Sequence, residues 1–279
     1  MKLKDIMVKE VGCAELPGNR TDIIKLMVRN NKTGIPVTKD DGTMVGFTTR
    51  QDIYAKPEEE QLALLMTKDY PSLGPNDSIE DGARILLDNN LHHLPIVSKK
   101  KLVGIVTPVD YLSVIEKLDM DEPVENFVRT PCVPIYEGAP IAVADTLFRV
   151  AGVVAAPVLN DEGRLVGIVT DRDIFKLSAV DGHTAVADLG IGEDEDQWTW
   201  EGLRNVIKLY YEVKHLTLPK IPVKEVMVPD PMTIFGKTSV TEAARIMKKH
   251  DFGQLPIRNS QDRLVAMIYE LDMLAAVLR

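Results

Sequence analysis

GFTTRQD at residues 46–52, GIVTPVD at 104–110, GIVTDRD at 167–173 and AMIYELD at 266–272 are one seven-residue element written four times. The element runs out of an apolar stretch, and in three copies a threonine precedes the closing aspartate by three residues. The pattern predicts a strand that ends at the hydroxyl residue and a helix that starts directly after it, so threonine and aspartate share the first helical turn. Two chemistries fit this arrangement. Thr-x-x-Asp is close to a capping box, and Pro108 stands where the first helical residue belongs. An ionised carboxylate in the same crevice also accepts charge-assisted bonds from both hydroxyls of a ribose, while the threonine hydroxyl and the free N–H groups of the helix start suit a sugar or a phosphate. Capping accounts for the aspartates less well, because the reciprocal box usually uses Glu or Gln, and Asp272 persists where Tyr269 has replaced the cap. The ribose and phosphate candidates are therefore Thr49, Asp52, Thr107, Asp110, Thr170, Asp173 and Asp272. In the fourth copy Ala266 and Tyr269 stand where the others have glycine and threonine, and the bulk of the phenol predicts a weak or empty crevice at Asp272.

Upstream of each element lies a second repeated feature: TGIPVTKDDGTMVG from Thr33, HHLPIVSKKKLVG from His92, AAPVLNDEGRLVG from Ala155 and GQLPIRNSQDRLVA from Gly253. Asp41-Gly42 and Glu162-Gly163 separate two apolar runs with residues that tolerate positive φ, which predicts antiparallel hairpins. An amphipathic helix precedes each hairpin, clearest in DSIEDGARILLDNN, where Ile79, Ala83, Leu86 and Leu87 recur at helical spacing, and in SVTEAARIMKKHD. One unit thus reads β-α-β-β-α, an α/β (α+β) fold of four tandem units. A unit of about 55 residues buries too little surface to stand alone, so the units are expected to pair.

Bulk properties narrow the function. A net charge of -9 argues against nucleic-acid binding, which needs a basic face. The two cysteines, Cys13 and Cys132, have no metal-ligand spacing and form no disulfide framework, so no metal is expected and a reducing compartment is implied. Neither a signal-peptide core nor a membrane-length apolar run is present, and a cytoplasmic protein is expected, with no membrane contact. The chain has no nucleophile elbow, P-loop, HExxH or dinucleotide fingerprint, so it is read as a regulator, not an enzyme, with no catalytic cofactor. Between residues 181 and 220 the repeat is interrupted by GEDEDQWTWEGLRNVIKLYYEVKHL. Leu203, Val206, Ile207, Tyr210 and Tyr211 share a helical face there, the acidic run Glu193–Asp196 suits a helix start, and Trp198 and Trp200 are anchors for packing or for a partner protein.

The order of strand, turn, strand and helix, together with G-h-h-T-x-x-D, resembles the CBS-domain family, named for cystathionine β-synthase. The four-repeat plan is similar to the γ subunit of AMP-activated kinase. The resemblance covers nearly all of the chain and places CBS 1 at 1–58, CBS 2 at 61–119, CBS 3 at 120–180, an insertion at 181–220 and CBS 4 at 221–279. It implies two Bateman modules, 1–119 and 120–279, able to close into a flat disk as a monomer or a homodimer. It also implies adenosine nucleotides (AMP, ADP or ATP) as ligands, and an unidentified regulated protein as partner. S-adenosylmethionine or methylthioadenosine is the alternative ligand, and a scaffold acting through the insertion is the alternative role. By the same resemblance Gly34, Val153, Val154, Ala155 and Gly253 line adenine pockets. His92 and His93 match a phosphate-contacting His-Arg pair, with His93 in place of the arginine. Arg50, Arg172 and Arg258 are further phosphate candidates.

Overall fold

A computed structural model describes residues 1–30, 32–56, 58–177 and 218–279. The proposed insertion helix with Trp198 and Trp200 lies outside them. Unit 1 comprises β1 (Ala14–Glu15), α1 (Arg20–Arg29), β2 (Gly34–Thr38), β3 (Met44–Thr49) and α2 (Arg50–Ala55). A short α3 (Leu62–Leu65) leads to α4 (Ile79–Asp88), β4 (Leu94–Ser98), β5 (Lys101–Val106) and α5 (Pro108–Leu118) of unit 2. Unit 3 has β6 (Ile135–Tyr136), α6 (Ile141–Ala151), β7 (Ala155–Leu159), β8 (Leu165–Thr170) and a helix, α7, that begins at residue 171. Unit 4 is preceded by β9 (Val228–Pro229) and holds β10 (Ile234–Phe235), α8 (Val240–His250), β11 (Gln254–Arg258), β12 (Leu264–Tyr269) and α9 (Glu270–Met273).

All four proline-bearing strands form antiparallel hairpins with a register shift late in the first strand. Gly42 (φ 79°) and Gly163 (φ 71°) turn two of them, Asp262 (φ 61°) turns the fourth, and Lys99 and Lys100 (φ 51° and 68°) make the shorter turn of the second. Register brings the two repeated features together: Gly34 faces Thr49, Ala155 faces Thr170, and Gln254 faces Tyr269. Every residue of β2 is buried, which explains why GIPVT reads as an apolar run without polar alternation.

The units do not fold separately. Val8 from the start of the chain bridges to Ile105 of unit 2, and Thr67 bridges back to Phe47 of unit 1. In the second half β9 adds to β8 of unit 3, while Pro123 bridges to Ser239 of unit 4. The entry segments of units 1, 2 and 4 therefore add to the partner's strands, and that of unit 3 reaches the start of the partner's helix, pairing units 1 with 2 and 3 with 4 as two Bateman modules. Helices join the modules. Glu116 on α5 pairs with Lys248 (2.8 Å) and Arg245 (3.6 Å) on α8, above a core shared by Leu86, Tyr111, Leu112, Met247 and Leu274. Across the other seam Arg50 pairs with Asp171 at 3.4 Å, and Phe175 sits edge-on to Tyr54 within the core of unit 1. The four units form a closed ring in the order 1, 2, 4, 3.

Candidate functional site

Each Thr-x-x-Asp turn is a capping box. The Thr49 amide and hydroxyl both donate to Asp52 Oδ2 (2.7 Å each), and the Asp52 amide donates back to Thr49 Oγ1 (3.2 Å). Thr107 donates twice to Asp110 Oδ2 (2.7 and 2.9 Å), and Thr170 twice to Asp173 Oδ2 (3.0 and 2.6 Å). The second carboxylate oxygen separates the four clefts. Asp52 Oδ1 accepts from Thr67 Oγ1 at 3.1 Å, and Asp272 Oδ1 accepts from the amide (3.1 Å) and hydroxyl (2.7 Å) of Thr130. Asp110 Oδ1 and Asp173 Oδ1 accept no hydrogen bond among the described residues. Capping thus uses one oxygen of these two aspartates and leaves the other without a donor among the described residues.

The clefts with saturated aspartates are also filled. Beside Asp52, the Phe47 ring stacks on Tyr70 (4.5 Å) and lies 5.2 Å from His93. An atom at the Cβ position of Gly34 would stand 2.5 Å from Phe47 Cε1, so the glycine faces packed rings, not a space for adenine. His93 Nε2 bonds Thr33 Oγ1 (2.8 Å), and burial pushes its pKa down to about 3. The phosphate role expected for His93 does not suit this position: a neutral ring committed to Thr33 brings no positive charge. Burial also lowers His92. Beside Asp272, itself buried, the Tyr269 ring is 2% exposed and its hydroxyl donates to the carbonyl of Ala155 at 2.8 Å. The phenol turns inward and spans units 3 and 4.

Other expected residues are placed differently. Val153 is buried in the core of unit 3 with Phe148 and Val169, and so lines no pocket, whereas Val154 is half-buried at the seam of units 3 and 4. Ala155 is fully buried there, its carbonyl taken by Tyr269. Gly253 lies against Glu270, whose Oε2 is 3.0 Å from the glycine's Cβ position. Arg258 stands at the hairpin end of β11, opposite Leu264, where it pairs with Asp262 and covers the Phe235 ring; this is the strand end away from Asp272 and no phosphate position. Arg50 is buried against Asp171 and Phe175, its Nε and Nη1 making no hydrogen bond among the described residues. Burial lowers its pKa and raises that of Asp171, each opposed by the charge of the other. Arg172 is exposed, makes no ion pair among the described residues, and lies close enough to act on Arg50, Asp171 and Glu270.

Sequence reasoning missed Thr67, Thr130 and Lys32. Lys32 of unit 1 is exposed, and its charge acts on Asp110 of unit 2, whose pKa burial raises and the Thr107 bonds and Lys32 lower. All three act on a neighbouring unit, so only the exchange of segments reveals them. Among the described residues no cluster of histidine, cysteine and carboxylate side chains suits a metal, and no helix is long and apolar enough to cross a membrane.

Four paired β-α-β-β-α units, each with a capping aspartate in the first turn of the helix that follows its hairpin, define a repeat protein of the CBS type. The chain belongs to the CBS-domain family, whose model matches residues 3–59, 61–117, 124–180 and 223–279. It is similar to a 33.4 kDa protein of the ribosomal RNA operon of Thermofilum pendens, at 27% identity over 171 residues, 55% of this chain and 57% of that protein. It therefore spans little more than half of that relative's length. A Methanocaldococcus jannaschii protein, MJ1225, shares 22% identity over 195 residues, 63% of this chain and 70% of its own. The crystal structure of MJ1225, described as a candidate archaeal homologue of g-AMPK, superposes with a TM-score of 0.76 and 22% identity over 99% of this chain and 100% of that one. A conserved protein from Pyrococcus horikoshii matches with a TM-score of 0.66 and 24% identity over the whole of both chains.

Proposed function

We propose that this chain is a regulatory protein that binds adenosine nucleotides in two of its four clefts, at Asp110 and Asp173, and passes the effect of occupancy to a separate protein. The observation that carries the reading is the unused Oδ1 of these two aspartates, against the saturated pair at Asp52 and Asp272. A ribose places two hydroxyl donors on such an oxygen, and bonds to an ionised acceptor are the stronger kind. Cations stand near both clefts: Lys32 acts on Asp110, while Arg172 adjoins Asp173 in the chain. They favour phosphorylated ligands over S-adenosylmethionine or methylthioadenosine. With one open cleft per module, a ligand that binds one arrangement of the ring better than another shifts the population of the two.

Calorimetric titration with AMP, ATP, S-adenosylmethionine and GTP tests this. Two AMP equivalents are expected, falling to one in Asp110→Ala and one in Asp173→Ala, each variant still unfolding cooperatively although loss of the capping bonds, about 0.5–2 kcal/mol, lowers the melting temperature of the free protein by a few degrees. Absence of binding by every adenosine compound at millimolar concentration would leave the open oxygens without a role and overturn the reading. Tighter binding of S-adenosylmethionine than of AMP would replace the ligand class.

A further inference from the structure

The first residue of the helix after each hairpin is Arg50, Pro108, Asp171 or Glu270. Across the seam of units 1 and 3 these residues are Arg50 and Asp171, which pair at 3.4 Å. Across the seam of units 2 and 4, where α5 packs against α9, the same places hold Pro108 and Glu270, so the acid is matched by an uncharged residue. Glu270 is half-buried and forms no ion pair and no side-chain hydrogen bond among the described residues. Its place is fixed from the main chain: its N–H donates to the Gly253 carbonyl at 2.9 Å, and its Oε2 lies 3.0 Å from the Cβ position of that glycine. The charges that act on it come from three elements, Arg172 at the start of α7, Asp110 on α5 and Asp251 at the end of α8.

The two open aspartates thus meet opposite kinds of residue from across their seams. The charge of Arg50 acts with that of Asp173, and the charge of Glu270 acts with that of Asp110. A carboxylate withdrawn from water beside two others and a single cation favours its neutral form. Burial raises the Glu270 pKa to about 8 against the pull of Arg172, and Asp110 and Asp251 add to the rise. A phosphorylated ligand on Asp110 brings further negative charge within reach of Glu270 and favours the neutral form again. We infer that Glu270 makes the Asp110 cleft a proton-dependent site: a phosphorylated ligand binds there while Glu270 is neutral and is weakened once Glu270 ionises, whereas the Asp173 cleft, faced by Arg50, keeps its ligand. The inference rests on the nucleotide reading of the Asp110 cleft and adds a regulating ligand, the proton, to one of the two sites.

The test uses full-length Asp173→Ala, in which the Asp110 cleft is the open one left, with and without Glu270→Gln. A phosphate monoester loses its second proton near about pH 6, so between about pH 7 and 9.5 the charge of AMP is nearly constant. Over that range AMP affinity of Asp173→Ala should fall about fivefold to tenfold, the order expected of one added like charge at a half-buried site. Glu270→Gln, which keeps the shape and stays neutral, should remove the fall. Adenosine, which carries no phosphate, should bind Asp173→Ala equally at both ends of the range. Asp110→Ala, whose ligand sits at Asp173, should bind AMP with little change. A level AMP affinity in Asp173→Ala, or a fall that survives Glu270→Gln, overturns the inference. Should Glu270→Gln fail to fold, calorimetry of Asp173→Ala in buffers of different ionisation enthalpy decides: AMP binding between about pH 8 and 9 takes up part of a proton, and binding without proton uptake overturns the inference. An Asp173→Ala protein that binds no AMP even at neutral pH overturns the nucleotide reading of the Asp110 cleft and the inference with it, and is told apart because it appears before pH or Glu270 is changed.

Discussion

Removal of a single oxygen tests whether Tyr269 closes the fourth cleft. The phenol is 2% exposed, its hydroxyl donates to the Ala155 carbonyl at 2.8 Å, and the ring packs with Met267, Ile168 and Val154 between units 3 and 4. Tyr269→Phe keeps the ring and deletes the donor, leaving one buried carbonyl short of a partner. A buried acceptor so stranded costs about 1–3 kcal/mol, which for a chain of this size lowers the melting temperature by about 2–4 °C per kcal/mol. Because the ring still fills the space and Thr130 still holds Asp272, the number of AMP molecules bound should stay at two. Tyr269→Thr goes further, removing most of a buried aromatic side chain at a cost of about 3–5 kcal/mol. It should still leave Asp272 held, because the main-chain N–H and the hydroxyl of Thr130 both keep donating to its Oδ1. Thermal scans and calorimetric stoichiometry read both effects. A Tyr269→Phe protein as stable as the parent, or one that binds a third AMP, would refute the assignment of cleft closure to this bond and ring.

Three further outcomes are expected. His93 is held neutral, with its pKa lowered by burial from 6.5 to about 3, so the unfolded chain binds a proton that the folded chain does not between those values, and stability falls as pH drops through that window. His93→Gln should flatten the stability curve from urea titrations at pH 4 to 6.5 by up to about 1.4 kcal/mol per pH unit; a slope identical to the parent's would contradict a neutral buried ring. Lys32→Ala should weaken AMP at the Asp110 cleft about threefold to tenfold while leaving adenosine unaffected, as an exposed cation near a phosphate would; an equal loss for both ligands would show that Lys32 acts on the fold. Arg50→Ala leaves Asp171 without its cation in a largely buried seam and should cost about 3 kcal/mol in chemical denaturation, and a cost below about 0.5 kcal/mol would show the pair to be solvated.

The fold was legible because it repeats. Hairpin turns at Gly42 and Gly163, the proline-bearing strands and the amphipathic helices each carry a local signal, and four copies turn weak local signals into one strong one. The capping geometry of Thr49, Thr107 and Thr170 was legible for the same reason, since cap and aspartate lie within one helical turn. What escaped was everything supplied from elsewhere in the chain. Thr67 sits 15 residues from Asp52, and Thr130 sits 142 residues from Asp272. Neither lies in the repeated element, and only strand exchange brings them to it. His93 and Arg50 were misjudged by the same route: each looks like a free polar residue in one dimension and becomes a seam residue when the neighbouring unit is added. Lys99 and Lys100 show the limit of turn chemistry, because two lysines take positive φ where glycine or asparagine is the usual signal.

Strand exchange also fixes the order in which a ribosome can deliver a finished structure. The first module needs Val8 against Ile105 and Thr67 against Phe47, so it is complete soon after α5 has been synthesised. The second module must wait, because β8 ends at residue 170 and its added strand β9 spans Val228–Pro229. At bacterial to eukaryotic elongation speeds of about 5–20 residues per second, unit 3 is held for roughly 3–12 s with the Ile168 edge of its sheet unpaired. During that interval the nascent chain displays an apolar strand edge open to pairing with another copy on the same polysome, a hazard that unit 1 meets only briefly because its covering segment, around Thr67, emerges within 20 or so residues of β3.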